Sequence, residues 1–187
     1  MPPKGARYVA PDGRLFGDDE PHTEEYTYRR EDGQMRLSGA RGSAEDATLG
    51  AVMEPTNEQL IYNAASVLNP KIVGDRLFGD VGCALITRDG NLYLGVCIDT
   101  ASGTGFCAEH SAIAAMVTAG EYTIKKIVAV WKDDNGVTYA LPPCGRCREF
   151  LRQIDEDNLD TEVILGKDEV SKLKDLLPRH EWPKPLA

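Results

Sequence analysis

Three cysteines and a glutamate limit what this chain can fold into more than any other feature. Cys107-Ala108-Glu109 is followed downstream by Pro143-Cys144-Gly145-Arg146-Cys147. The pattern offers three soft ligands to one tetrahedral zinc ion and leaves the fourth position for water, as catalytic zinc sites do. Glu109 stands two residues from a ligand, close enough to move that water's protons without binding the ion. A structural site with four protein ligands is the alternative, the fourth coming from His110, His22, His180 or a spare cysteine. Cys-x-x-Cys alone would favour that reading, or a redox motif. The Cys-Ala-Glu half and the proline before Cys144 weigh for catalysis.

The remaining chemistry narrows the setting. Five cysteines are an odd number, in a sequence whose start, Met1-Pro2-Pro3-Lys4-Gly5, has no apolar export segment. That argues for thiolates in a reducing compartment rather than a disulfide framework. Cys83 and Cys97 fall in apolar, strand-like runs and read as small buried hydrophobes. No apolar run approaches the ~18 residues of a membrane span. A soluble, cytoplasmic protein is expected. The net charge of −9 is spread along the chain, with Arg29-Arg30 and Lys125-Lys126 the longest basic pairs. Proteins that track a phosphate backbone usually carry a basic stripe. The composition therefore favours a small-molecule substrate over nucleic acid.

Residues 1–54 differ from the rest. They are rich in glycine and charge, poor in aliphatics, and carry turn signals at Pro11-Asp12-Gly13 and Glu31-Asp32-Gly33. They read as an N-terminal extension or arm, with a hairpin over Tyr26–Leu37 closed at Asp32-Gly33. Residues 55–187 form the main domain. Thr56 and Gln59 make a capping box for a helix ending near Asn69-Pro70. Val81–Thr87 and Leu92–Ile98 read as strands joined by the turn Arg88-Asp89-Gly90-Asn91. A Gly/Ser/Thr loop leads into an alanine-rich helix from Cys107 to Ala119, stopped by Gly120. Ile124–Trp131 and Val137–Leu141 are strands, Cys144–Ile154 a helix, Thr161–Leu165 a strand and Glu169–Leu177 a last helix. This order predicts an α/β fold, a three-layer α-β-α sandwich around a mixed sheet of about five strands.

Both cysteine motifs then sit where the chain enters a helix. A helix start carries partial positive charge and free N–H groups, which stabilise thiolates. Three thiolates leave a zinc site with net negative charge, so a nearby cation should offset it. Arg148 is the best placed by sequence, Arg146 next.

These residues resemble the cytidine deaminase superfamily, in its small all-cysteine branch, which includes tetrameric cytidine deaminases and blasticidin S deaminase. Zinc deaminases pair such a ligand set with a glutamate that serves as general acid and base. The resemblance covers about residues 56–182. Softer matches are Val81-Gly82-Cys83-Ala84-Leu85, Gly95-Val96 and Leu176-Leu177-Pro178. It implies hydrolytic deamination of an aminopyrimidine with loss of ammonia, Zn²⁺ as cofactor, and a homotetramer whose sites borrow residues from neighbours. Cys107, Cys144 and Cys147 would bind zinc, Glu109 would shuttle protons, and Arg148 would compensate the thiolates. The Ala108 N–H would meet the pyrimidine carbonyl.

Departures from the family pattern fall where substrate is chosen. Tetrameric cytidine deaminases usually carry Asn-x-Glu-Asn on the second strand to hold the ribose; this chain has Cys97-Ile98-Asp99-Thr100. Asp99 stands for the glutamate, and Cys97 cannot replace the amide. The stacking phenylalanine is expected where Gly79 lies, with Phe78 adjacent. His110 sits where those enzymes often have Arg, and Glu149 where both groups often have Gln. The Gly-rich loop before Cys107 and Trp182 near the C-terminus resemble blasticidin S deaminase. Two other functions compete: a deaminase of single-stranded nucleic acid, and a non-enzymatic binding protein stabilised by zinc.

Overall fold

The computed structural model describes residues 54–181 and 185, with the backbone of four short strands nearer the N-terminus. Those strands are β1 (Tyr8–Val9), β2 (Leu15–Phe16), β3 (Thr27–Glu31) and β4 (Gln34–Ser38). In the main domain follow α1 (Asn57–Ser66), β5 (Lys71–Val73), β6 (Arg76–Thr87), β7 (Leu92–Ile98) and α2 (Ala108–Thr118). The chain continues through β8 (Ile124–Lys132), β9 (Thr138–Leu141), α3 (Gly145–Ile154), β10 (Glu162–Ile164), β11 (Val170–Lys172) and the single helical turn α4 (Leu173–Leu176).

One sheet organises the domain, in the order β11-β10-β8-β6-β7-β4-β3, with β5 also paired to β6 and β9 to β8. Only β8 and β10 run parallel, so the sheet is mixed. A parallel pair needs a crossover, which α3 supplies between β9 and β10. Strand residues alternate between two cores, because successive side chains leave a strand on opposite faces. Cys83, Leu85, Ile127 and Val163 pack with Ala112, Ile113 and Met116 of α2 and Leu151 of α3. Ala84, Ile86, Val128, Val130 and Ile164 pack with Leu60 and Ala64 of α1. Helices therefore cover both faces, as the three-layer reading expects.

Strand number exceeds the five expected. The added strands are β5, β11 and the pair β3–β4, in which Glu31 faces Gln34 across two residues. Residues 169–172, read as the start of a helix, instead place β11 against β10, with Ile164 opposite Val170. Short strands at a sheet edge take their conformation from the neighbouring strand, and periodicity over three residues cannot announce them.

At the other helix, α1, the capping box forms as read. The Thr56 hydroxyl accepts from Gln59 N–H at 3.2 Å, and the Gln59 side chain accepts from Thr56 N–H at 2.8 Å. Helix α2 lies very close to β7. A Cβ on Gly95 would stand 2.3 Å from the Ala112 nitrogen, so only glycine lets the helix approach this far. Ser111 fastens the same contact by donating to the Val96 carbonyl at 2.6 Å. That approach fixes where α2 begins, and hence where Cys107 and Glu109 stand.

Candidate metal centre and pocket

Two helix starts face one another at the cluster. Cys107 is the residue capping α2 and Cys144 the residue capping α3, both with extended backbone. Neither uses its side chain to cap its helix, which leaves both sulfurs free to point at each other. Cys147 lies one turn into α3 and is fully buried. The Sγ–Sγ distances are 3.8 Å for Cys107–Cys144 and 3.4 Å for Cys144–Cys147.

Sulfurs bound to one tetrahedral zinc at ~2.3 Å lie ~3.8 Å apart. The two Cys144 edges of the cluster come near that value, and its soft donors suit zinc. His110 stands within it: the donor atoms of Cys107, His110 and Cys147 all lie within 4.8 Å of one another. His110 Nδ1 is 3.6 Å from Cys147 Sγ.

Burial governs the thiols. It raises the Cys147 and Cys107 pKa values above the usual thiol range, with the Glu109 charge adding to both. Cys144 is lowered. Burial opposes this, but the Cys147 backbone N–H, the neighbouring thiols and the Arg146 N–H stabilise its thiolate. Glu109 is 5 % exposed, and burial raises its carboxyl above the ordinary range. His110 is lowered, by burial first and then by the Arg146 charge.

Beside the cluster opens a cavity of about 340 Å³. Its lining includes Cys107, Ala108, Glu109 and Cys144, with Cys97, Asp99, Phe106, Leu141 and Arg146. The structure thus brings Ala108, Glu109 and Asp99 together with the thiols. Phe78 is not among the lining residues; it pairs with Ile98 and Lys71 across the sheet. Nor can an aromatic stand at Gly79, whose φ is +70° and whose Cβ would meet the Asn69 carbonyl oxygen at 2.7 Å.

Arg148 points elsewhere. Its guanidinium donates to the Pro143 carbonyl at 2.8 Å and the Leu176 carbonyl at 2.7 Å, tying the start of α3 to the end of α4. Glu149 accepts twice from the buried Arg152, at 2.6 and 3.2 Å. His180 is engaged with the Leu177 carbonyl. His22 and Trp182 lie outside the described residues.

Sequence reasoning missed one feature of the pocket wall. Cys97 donates to Asp80 Oδ1 at 2.9 Å and accepts from Val81 N–H at 3.4 Å. Nothing in an apolar run announces a thiol held this way. Asp80 reaches it because the register of β6 against β7 shifts between Phe78 and Gly82, an irregularity that strand alternation does not report.

Residues 55–161, more than half of the chain, match the profile of the cytidine and deoxycytidylate deaminase zinc-binding region. The chain belongs to that family. Cytidine deaminase from Halalkalibacterium halodurans is 34% identical over 87 residues, 46% of this chain and 61% of that protein. A probable cytidine deaminase from Dictyostelium discoideum is 33% identical over 96 residues, 50% of this chain and 60% of that protein. The chain thus spans about three fifths of the length of these curated relatives.

Solved cytidine deaminases from Mycobacterium leprae and Burkholderia pseudomallei superpose with TM-scores of 0.55 at 30% and 29% identity. Each covers 67% of this chain, and the match takes in 100% and 98% of those chains. The α/β fold with its mixed sheet is therefore that of the deaminase family, and the thiol cluster lies inside the family's zinc-binding region.

Proposed function

We propose that this chain is a zinc-dependent hydrolytic deaminase of a small aminopyrimidine, a free nucleoside or a related compound. One observation carries the reading: a buried glutamate and two cysteines of the three-thiol cluster, Cys107 and Cys144, line one cavity sized for a small molecule. Ligand pockets of this kind occupy roughly 300–1,000 Å³. The naming of similar proteins as cytidine deaminases supports it.

Cys107, Cys144 and Cys147 would hold the ion. Zinc bound there supplies the Lewis acidity that makes water a nucleophile near neutral pH. The protein's own groups do the rest. The Ala108 N–H, at the first turn of α2, would donate to the pyrimidine carbonyl oxygen and fix the ring's orientation. Glu109 would accept a proton from the attacking water and hand it to the ring nitrogen. It would then carry the second proton to the departing amine. Water adds at the amine-bearing carbon, ammonia leaves, and the oxo product remains.

The Cys97 wall sets the substrate. Its thiol is committed to Asp80 and its sulfur to the Val81 N–H, so neither is offered to a ligand. Asp99 is exposed on the pocket wall and, ionised, can only accept hydrogen bonds. The group attached to the pyrimidine must therefore bring donors, hydroxyls or an amine. The finer expectations of a cytoplasmic homotetramer belong to the same proposal. The exposed, stacked Trp131–Tyr139 pair on β8 and β9 offers an apolar surface of the sort subunits bury.

The test is ammonia release by purified, zinc-loaded protein from cytidine, deoxycytidine, cytosine and blasticidin S. Turnover of a hydroxyl- or amine-bearing compound above free cytosine is expected. No release from any of them would remove the small-molecule reading.

A further inference from the structure

We propose that His110 is a positioning residue for the metal: its Nδ1–H donates to the Cys147 thiolate, supplying the charge compensation that Arg148 does not. The inference rests on the zinc reading above and concerns a residue that reading leaves unused.

Four observations converge on this histidine. It is 8 % exposed. Its Nδ1 lies 3.6 Å from Cys147 Sγ, within range of an N–H···S contact. Its ring stacks on Phe150 with centroids 4.4 Å apart and planes 15° from parallel. Phe150 lies on α3, three residues beyond Cys147, so the helix that carries the ligand also clamps the imidazole. Its Nε2 is buried and meets no hydrogen-bond partner among the described residues.

The last observation selects the tautomer. A buried N–H without an acceptor costs about 1–3 kcal/mol. A neutral ring avoids this by carrying its one proton on Nδ1, where sulfur waits, and leaving Nε2 bare. A metal-bound thiolate can only accept, so the direction of the bond follows. The donation withdraws charge from one of three thiolates, which would otherwise leave the ion a weak Lewis acid. It also fixes the Cys147 side chain, as outer hydrogen bonds do in many metal sites. Arg148, the residue placed beside the ligand by sequence, spends its guanidinium on carbonyls of Pro143 and Leu176.

The competing role is ligation. A nitrogen and a sulfur on one zinc also lie about 3.6 Å apart, given bond lengths near 2.0 and 2.3 Å. His110 would then close the coordination shell or displace Cys144. The experiment must separate donor, ligand and packing residue.

Cobalt-substituted full-length protein should be compared as wild type, His110→Phe and His110→Asn, following the thiolate-to-cobalt charge-transfer band. Zinc affinity is measured in parallel by chelator competition. Phenylalanine keeps the stack and removes the donor; the asparagine amide replaces Nδ1. The expected result is a red-shifted band and about 10- to 100-fold weaker zinc binding in His110→Phe. The Asn variant should return toward wild type in both. X-ray absorption of zinc-loaded wild type should show three sulfurs and no imidazole. If His110→Phe fails to fold, the wild-type absorption and the Asn variant decide the matter.

An unchanged band and affinity in His110→Phe would make His110 a packing residue and overturn the proposal. Imidazole scattering in wild type would make it a ligand and overturn it equally. Asn behaving no better than Phe would overturn it too. Protein that binds neither cobalt nor zinc would overturn the zinc reading itself, a different failure.

Discussion

In the proposed reaction Glu109 and the cysteines divide the work at the residue scale. Glu109 lines the cavity beside Cys147 and is not one of the cysteines proposed as ligands, so its removal should spare the metal. In Glu109→Gln, zinc content by atomic absorption should match wild type while ammonia release falls on the order of 10²- to 10⁴-fold, the range of general acid–base catalysis. Loss of zinc in that variant would make the carboxylate a ligand. Asp99, which lines the cavity, is proposed to bear on substrate alone. Asp99→Ala should raise KM for a hydroxyl-bearing nucleoside several-fold and leave free cytosine unaffected, as steady-state kinetics on both would show. The metal half of this arrangement was legible because Cys-x-Glu and Pro-Cys-x-x-Cys carry ligand spacing in the sequence itself. The direction of Arg148 was not, because a guanidinium on a long stem can reach several partners and only folding chooses among them.

Elements place those residues by close approach. The contact of α2 with β7 through Gly95 positions both Cys107 and Glu109, so Gly95→Ala should act at a distance. Its Cβ would press on the Ala112 nitrogen at 2.3 Å and the Ala108 carbonyl at 2.7 Å. Overpacking of this kind costs about 1–3 kcal/mol. A lower melting temperature together with weaker zinc binding is expected, by thermal unfolding and chelator competition. The turn between β8 and β9 offers a pH handle. Asp133 accepts from the Val137 and Asn135 N–H groups at 2.8 and 3.0 Å, and the Val137 bond does most to hold its pKa below the ordinary carboxylate value. A depressed folded pKa stabilises above the unfolded value, and that contribution is lost as pH falls through both. Wild type should therefore lose melting temperature on acidification from about pH 5 more steeply than Asp133→Asn. Parallel curves would show that the turn bond does not matter. Long elements such as α1, α2 and β8 were readable from period and caps; β5 and β11 owe their conformation to β6 and β10, which no local pattern reports.

The whole molecule couples metal, protons and stability. Burial raises the Cys107 and Cys147 thiols above their ordinary pKa, whereas zinc takes thiolates. Binding must then release protons, so affinity should rise with pH; calorimetry in buffers of different ionisation enthalpy would count them. Zinc held by residues that only folding brings together, Cys107 with Cys144 and Cys147, would stabilise the folded chain, so a chelator should lower its melting temperature. The N-terminal arm stands as a proposal beside the 55–187 domain. Its β4 adds to the sheet through Met35 opposite Leu92, a pairing across a charged, glycine-rich stretch whose register the sequence could not announce. We propose that this chain deaminates through zinc and Glu109 together. This is tested most directly by ammonia release from the preferred nucleoside in three preparations: zinc stripped, zinc restored and Glu109→Gln with zinc. Turnover is expected in the restored wild type alone. Equal release from the stripped protein or from the zinc-loaded Gln variant would contradict it.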